Sequence, residues 1–444
     1  MYQSVVDDVA WPGETESPLL RALHDASPSS KLSIEFAVYG YGRDPKIPRY
    51  TFGHVVGTIG PRQSGEPDHF VMGRHMIAAG PLFGTPPGGV ATLQAKVAAD
   101  NRSLTVDFGN SFQVETADSG PVNIGKVFIG VLTSNPDTVQ NSVAESGVAI
   151  IGEVHYTSAD WYTQTAGIET FDLSGNADAA KYLPYLPNCP LVVVSPSAAS
   201  AGVYDVPLQE SIGGLYVRAD QFVFRIDPGE TQTVDFCATR FGVPLVDAGI
   251  TLSNAGAFLA NLGGGPPPDI SVPPDGPLLN GNAWPRGHLA GQLYALGNQL
   301  EKQPANYIPN PGNFVSILAH SRRRNPDNIP PTWYDDIQPL FAQYAKLYPI
   351  MSKYVVDLSD YASVVGRLTV LGLAFSLPQN DPNHMPVTRD LGSADRRMIL
   401  KWLATKGADG QPPLGTPRAI SQRLLAMRNR ACGPTVEERK FVSQ

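Results

Sequence analysis

A period-two alternation of apolar and polar residues recurs in short runs over the first part of this chain, and it gives way to a period near 3.6 only beyond Trp333. In the stretch 31–40, Leu32, Ile34, Phe36 and Val38 fall on one face while Ser33, Glu35 and Tyr39 fall on the other, as in a half-buried strand. The stretch 51–59 repeats the pattern. Residues 93–98, the pair Asp100-Asn101, and then Leu104, Val106 and Phe108 read as a hairpin, because Asx residues supply the turn between two alternating runs. Further strands are expected at 126–132, 148–156 and 191–194, with a short helix at 19–24.

No long helical pattern separates these runs, so antiparallel sheets packed face to face are expected rather than βαβ units. The 43 Gly and 41 Pro of the 444 residues agree with many turns and short elements. The fold expected is mainly β: an antiparallel β-sandwich body, jelly-roll or immunoglobulin-like, with a small C-terminal α-helical bundle. Four segments follow. Residues 1–210 form the β-sandwich. Residues 211–262 form a second β unit, either immunoglobulin-like or the closing strands of the first, with a hairpin of 221–226 and 231–239 about the turn Asp227-Pro228-Gly229-Glu230 and a further strand at 246–252. Residues 263–332 form a Pro/Gly-rich linker, clearest at 262–277 (LGGGPPPDISVPPDGP), and an irregular excursion, and 333–444 form the helical module.

Within that module, Ile337, Leu340, Phe341, Tyr344, Leu347 and Tyr348 share one helical face. A second helix from Ser359 carries Val364, Val365, Leu368 and Leu371, and a third at 394–405 turns Met398, Ile399, Trp402 and Leu403 inward with Arg396, Arg397 and Lys401 outward. A fourth begins at Thr416-Pro417 and aligns Ile420, Leu424 and Met427.

The chemistry-bearing residues are sparse. A formal charge of −8 argues against a nucleic-acid or anionic-membrane surface, and the basic run Arg322-Arg323-Arg324 reads as a solvated loop. Cys189, Cys237 and Cys432 are too widely spaced for a disulfide framework or a zinc site and read as reduced and structural. The N-terminal residues carry no secretory pattern and no window approaches about 18 uninterrupted apolar residues, so a cytoplasmic protein that does not cross a membrane is expected. No nucleophile elbow, phosphate loop or metal-spaced His/Cys/Glu motif occurs, so the expectation is no cofactor and no catalytic residue in this chain alone. The nearest approach to a metal cluster is Glu66, Asp68, His69 and His75, of which His69 and His75 are the candidate ligands.

The segment 337–349 (IQPLFAQYAKLYP) resembles the frame of a c-type cytochrome domain, but Tyr344 to Tyr348 stand where a Cys-x-x-Cys-His would be, so covalent haem is excluded there. The loop His384-Met385-Pro386-Val387-Thr388-Arg389-Asp390 is the most distinctive short stretch. It organises the entry to the third helix, with Arg389 paired to a carboxylate, or it docks a partner through His384 and Arg389, with Tyr344 and Tyr348 alongside.

The strand FAVY (36–39), then HVVGTIG (54–60), LTVDFGNS (104–111), YAKLYPIM (344–351), Asp381-Pro382 and MPVTRDL (385–391), taken together, resemble the β region and helical connector of iminophenylpyruvate dimer synthase and chromopyrrolate synthase, the bacterial enzymes that couple imino-indolepyruvate molecules in violacein and rebeccamycin biosynthesis. The resemblance implies oxidative chemistry in a ferritin-like helical domain beyond the connector, which this sequence does not reach, so no family catalytic residue carries over. The expectation is an accessory or structural subunit that docks a separately encoded, ferritin-like or redox partner, or that forms a homo-oligomer. The alternatives are an oxidative enzyme of aromatic amino-acid or secondary metabolism, with a pocket between sandwich and bundle lined by Trp333, Tyr344, Tyr348 and His384, and a carbohydrate- or surface-binding sandwich with Trp161, Tyr162 and Tyr216 as an aromatic platform.

Overall fold

In the computed structural model the alternating runs form the expected strands, and the residues described are 2–11, 17–27, 31–43, 51–77, 89–114, 120–175, 178–227, 229–246, 248–254, 291–302, 313–320, 330–379 and 381–417. The chain is mainly β, with antiparallel sheets making its body and helices its C-terminal part. It divides into two compact units: Met1–Phe224, Gln232–Ile270 and Tyr294–Ser316 make the first, and Arg225–Thr231, Ser271–Leu293 and Ile317–Gln444 the second.

Strands β1 (Tyr2–Val6), β2 (Leu32–Arg43) and β3 (Thr51–Pro61) form an antiparallel sheet in that order, and α1 (Pro18–Asp25), capped by Ser17, connects the first two. The largest sheet comprises β4 (Arg74–Ile77), β5 (Leu93–Val97), β6 (Ser103–Asp107), β7 (Val127–Leu132), β8 (Ser142–Ala144), β9 (Val148–Val154), β10 (Ile168–Asp172), β11 (Leu191–Pro196) and β12 (Val203–Glu210). Its order is β10-β6-β5-β4-β12-β11-β7-β9, with β8 joined to β12. The sheet curls into a near-closed barrel. At the seam, the Phe171 ring of β10 lies over Gly152 of β9, where an added Cβ would come within 2.4 Å of the ring. Glu169 spans the same seam, its Oε1 accepting the His155 backbone N–H at 3.0 Å and Trp161 Nε1–H at 2.7 Å.

Alternation sorts the barrel's side chains. In the β5–β6 hairpin, Leu93, Ala95, Leu104 and Val106 point into the core, while Gln94, Lys96, Thr105 and Asp107 point out. The hairpin turn is as expected: Asn101 takes a positive φ of 57°, and Asp100 Oδ1 accepts the Arg102 N–H at 3.0 Å. Inside, Phe112 stacks on Tyr156 at 4.2 Å between centroids, and the Tyr156 hydroxyl donates to Gly125 O at 2.7 Å. Full burial of each such apolar side chain stabilises by about 1.5–3 kcal/mol. Strand β11 is buried on both faces. Leu191 and Val193 enter the barrel core, and Val192 and Val194 join Leu132, Val148 and Val206 in a second cluster.

One buried ion pair ties the barrel together. Arg74 Nε and Nη2 donate to the Glu210 carboxylate, Nη1 donates to Leu186 O at 2.7 Å and Nη2 to Cys189 O at 2.6 Å, while Glu210 Oε2 also accepts the Leu191 N–H at 3.1 Å. Both charges are fully out of solvent, yet each is saturated with hydrogen bonds.

Beyond residue 211 the pairing departs from the expected hairpin. Strand β13 (Leu215–Ala219) pairs with β15 (Phe236–Arg240), which pairs with β16 (Val243–Pro244), whereas β14 (Val223–Ile226) belongs to a different sheet of order β14-β19-β18-β17, with β17 at Ile250–Asn254, β18 at Gly291–Leu300 and β19 at Phe314–His320. The turn at Asp227–Glu230 does form, with the Glu230 N–H on Asp227 O at 3.0 Å, but residues 231–235 are not strand and cannot return alongside β14. The stretch read as an irregular excursion thus contains two long strands. The linker at 262–277, Arg322 to Arg324, Cys432 and the stripe Ile420, Leu424 and Met427 of the fourth helix lie outside the described residues.

In the second unit a π-helical turn at Trp333–Ile337 leads into α4 (Gln338–Leu347), followed by α5 (Pro349–Tyr354), α6 (Tyr361–Val365), α7 (Leu368–Ser376) and α8 (Ser393–Ala404). Asp360 caps α6, its Oδ2 accepting the Ser363 N–H at 2.7 Å, and the expected second helix is broken into α6 and α7 at Gly366-Arg367. Trp333, Ile337, Phe341, Tyr344, Val364, Phe375, Ile399 and Trp402 make the core. The indole N–H of Trp402 donates to Pro413 O at 2.9 Å, and the Tyr361 hydroxyl donates to Pro412 O at 2.6 Å, which fixes the returning chain against the helices. Leu347, expected on the buried stripe, is 57% exposed, because α4 ends there and the chain turns away at Tyr348.

Candidate functional site

The site grows out of the β2 strand's pleat. Directly opposed residues of an antiparallel pair share a face, so the registers Glu35↔Thr58, Gln3↔Glu35, Ser33↔Gly60 and Ala37↔Val56 put all of these on one side of the three-stranded sheet. That side faces the barrel: Val56 Cγ2 comes within 3.0 Å of where a Cβ on Gly109 would sit, and Ala37 is buried. The apolar face of Ile34, Phe36 and Val38 is therefore turned away from the barrel, with Val38 48%, Val55 70% and Ile59 56% exposed. Sequence pattern alone suggests the opposite orientation.

Between the polar face of this sheet and the outward face of β5, β6 and β10 lies a cavity of about 500 Å³. Its polar lining includes Glu35, Thr58, Gln94, Lys96, Thr105 and Asp107, and Phe70, Val71, Met72 and Ile168 give it an apolar wall. Burial, reinforced by the nearby Asp107, pushes the Glu35 carboxyl up from its ordinary 4.5 to about 7. Burial also raises Asp107, an effect opposed by the Gly109 N–H donating to its Oδ1 at 2.8 Å. Oε1 of Glu35 and Oε1 of Gln94, on opposite walls, are buried without a hydrogen-bond partner. At the rim, Glu66 Oε2 accepts the Gln63 N–H at 3.0 Å and the Ser33 hydroxyl at 3.4 Å, so its carboxylate is already partnered.

The residues singled out from sequence are placed otherwise. Asp68 pairs with Arg62, and the His69 ring meets Gln3 O at 3.0 Å. His75 is buried, stacked 3.9 Å from Tyr216 and bonded to Val71 O at 3.0 Å; burial lowers it to about 3, so it is neutral at working pH. Among the described residues no three His, Cys, Asp or Glu side chains gather as a metal-ligand group. Tyr344 is buried and donates to Asp390 Oδ1 at 3.2 Å, and Tyr348 lies 3.3 Å from the Thr388 hydroxyl. His384 is buried against Leu377 O at 2.7 Å. The Arg389 guanidinium donates to the carbonyls of Gln379, Asp381, His384, Pro386 and Val387, holding its own loop in place of the carboxylate partner expected of it. The cavity beside Tyr344 and Tyr348 is only about 20 Å³, too small for an aromatic substrate. Trp161 and Tyr216 are core residues and form no platform.

Glu35, Gln94 and Asp107 were missed as a group, because they lie on two sheets far apart in sequence. The signal available was a carboxylate in the middle of the otherwise apolar run 34–38. No protein-family model, curated protein or solved structure matches the chain.

Proposed function

We propose that the barrel unit is a binding module for a small, donor-rich polar molecule, held in the cleft between the three-stranded sheet and the barrel with Glu35, Gln94 and Asp107 as acceptors. The observation that carries the reading is the convergence of two carboxyls with raised pKa and an unpartnered amide oxygen on one cavity of about 500 Å³. Burial raises both carboxyls in spite of the N-terminal positive charge that acts on each, so the pair is left under-compensated, as in a site that awaits a ligand. The test is a thermal-shift and calorimetric screen of the full chain against small amines, polyols and carboxylic acids, repeated on Asp107→Asn. Saturable binding that weakens in the variant is expected; ligands that bind both proteins equally, or none at all, would remove the reading.

A second reading follows from the exposed Val38, Val55 and Ile59 on the outward face of the same sheet. It is the accessory subunit, working in the cytoplasm and docking another polypeptide or a second copy there, as the resemblance to the dimer synthases suggests. Sedimentation of the purified chain with and without Val55→Glu tests the homo-oligomeric form: a variant that dissociates supports it, and an unchanged monomer counts against it.

A further inference from the structure

We infer that the ligand of the cleft is an organic cation, an ammonium or guanidinium head group carried on an apolar body, bound with its charge between Glu35 and Asp107; this rests on the cleft being a ligand site at all. Three features of the cavity select that chemistry. The acceptors on its two walls, the Glu35 and Asp107 carboxyls and the Gln94 amide oxygen, call for a ligand rich in N–H or O–H donors.

Charge then separates a cation from a neutral polyol. Asp107 acts on Glu35 through its charge, so a neutral donor would leave two carboxylates repelling in a desolvated site, whereas a cation relieves both the repulsion and the burial. Lys96, the basic residue among the lining, sits on β5 at an exposed position. A bare metal ion is disfavoured because no third His, Cys, Asp or Glu joins a ligand group among the described residues. The wall of Phe70, Val71, Met72 and Ile168 matches an apolar body attached to the head group.

The same geometry sets the pH dependence. The titratable side chains that line the cavity with Glu35 are Asp107 from β6, Lys96 from β5 and Glu66 from the β3–β4 connection; β1, β3 and β10 contribute Gln3, Thr58 and Ile168, which do not titrate, and the positive charge of the N-terminus draws both Glu35 and Asp107 down against the larger effect of burial. A bound cation requires Glu35 ionised, so protons compete with it, and affinity falls on the order of tenfold or more between pH 8 and pH 5.5.

The experiment is isothermal calorimetry of the full chain with 2-phenylethylamine, phenylguanidine, neutral 2-phenylethanol and sorbitol at both pH values, with Glu35→Gln as the variant. Either cationic probe should bind at pH 8, at least tenfold more weakly at pH 5.5 and at least tenfold more weakly to Glu35→Gln, with 2-phenylethanol and sorbitol giving no heat of binding. Equal binding of 2-phenylethanol or sorbitol would overturn the cationic assignment while leaving the cleft a ligand site. Absence of binding by all four probes would overturn both. Should Glu35→Gln fail to fold, the pH dependence of the wild-type chain decides alone: cation binding that does not weaken in acid refutes the inference.

Discussion

Glu35→Gln should make the barrel unit more stable at neutral pH and leave its stability unchanged in acid. The magnitude follows from linkage. A carboxyl raised from 4.5 to about 7 on folding is held more tightly protonated by the native state. Its favourable contribution is therefore fully present below pH 4.5 and is lost as pH rises through 7. A shift of that size corresponds to about 3–4 kcal/mol at about 1.4 kcal/mol per unit. Glutamine keeps the shape and cannot ionise, so at pH 8 the variant escapes a cost of that order, and near pH 4 the two proteins converge. Because the chain has two compact units, the assay should be local: hydrogen exchange read by mass spectrometry on peptides covering 31–38 and 93–107, at pH 4.5, 6 and 8. A variant that is less stable at pH 8, or whose difference from wild type does not change with pH, would refute the reasoning.

Three further substitutions test the packing of the two units, two in the barrel and one among the helices. Arg74→Met strands the Glu210 carboxylate in the core and should cost about 3–5 kcal/mol, much of it recovered in the double variant with Glu210→Leu, as read from calorimetric unfolding. Gly152→Ala drives a methyl group into the Phe171 ring and should cost about 1–3 kcal/mol, with a double-mutant cycle to Phe171→Ala showing positive coupling. Trp402→Ala removes a fully buried indole and its bond to Pro413, and should cost the helical unit about 3–5 kcal/mol, seen as early loss of helical circular dichroism in urea.

Much of the local structure was legible because it is written locally. The β5–β6 hairpin follows from alternation plus Asp100-Asn101, and α8 follows from the spacing of Met398, Ile399 and Trp402. Pairing between distant strands was not. Nothing in 221–239 says that β14 prefers β19 to β15, the next strand in the chain, since that choice depends on β18 and β19, which lie in a stretch whose Gly and Pro content masks their alternation. The outward-turned apolar face of β2 was misleading for a related reason: burial of Glu35 is set by the barrel surface opposite, and Asp107 lies 72 positions further along the chain. Arg389, expected to pair with a carboxylate, is held by five carbonyls of its own loop, an arrangement no spacing rule reveals.

The measurement that tests the account most directly is a ¹³C-carboxyl titration of Glu35, by selective glutamate labelling, with and without 2-phenylethylamine. The account predicts a midpoint near 7 in the free chain that moves clearly downward when the amine is bound. A midpoint at the ordinary 4.5, unmoved by the amine, would contradict a desolvated carboxyl held in a ligand cleft.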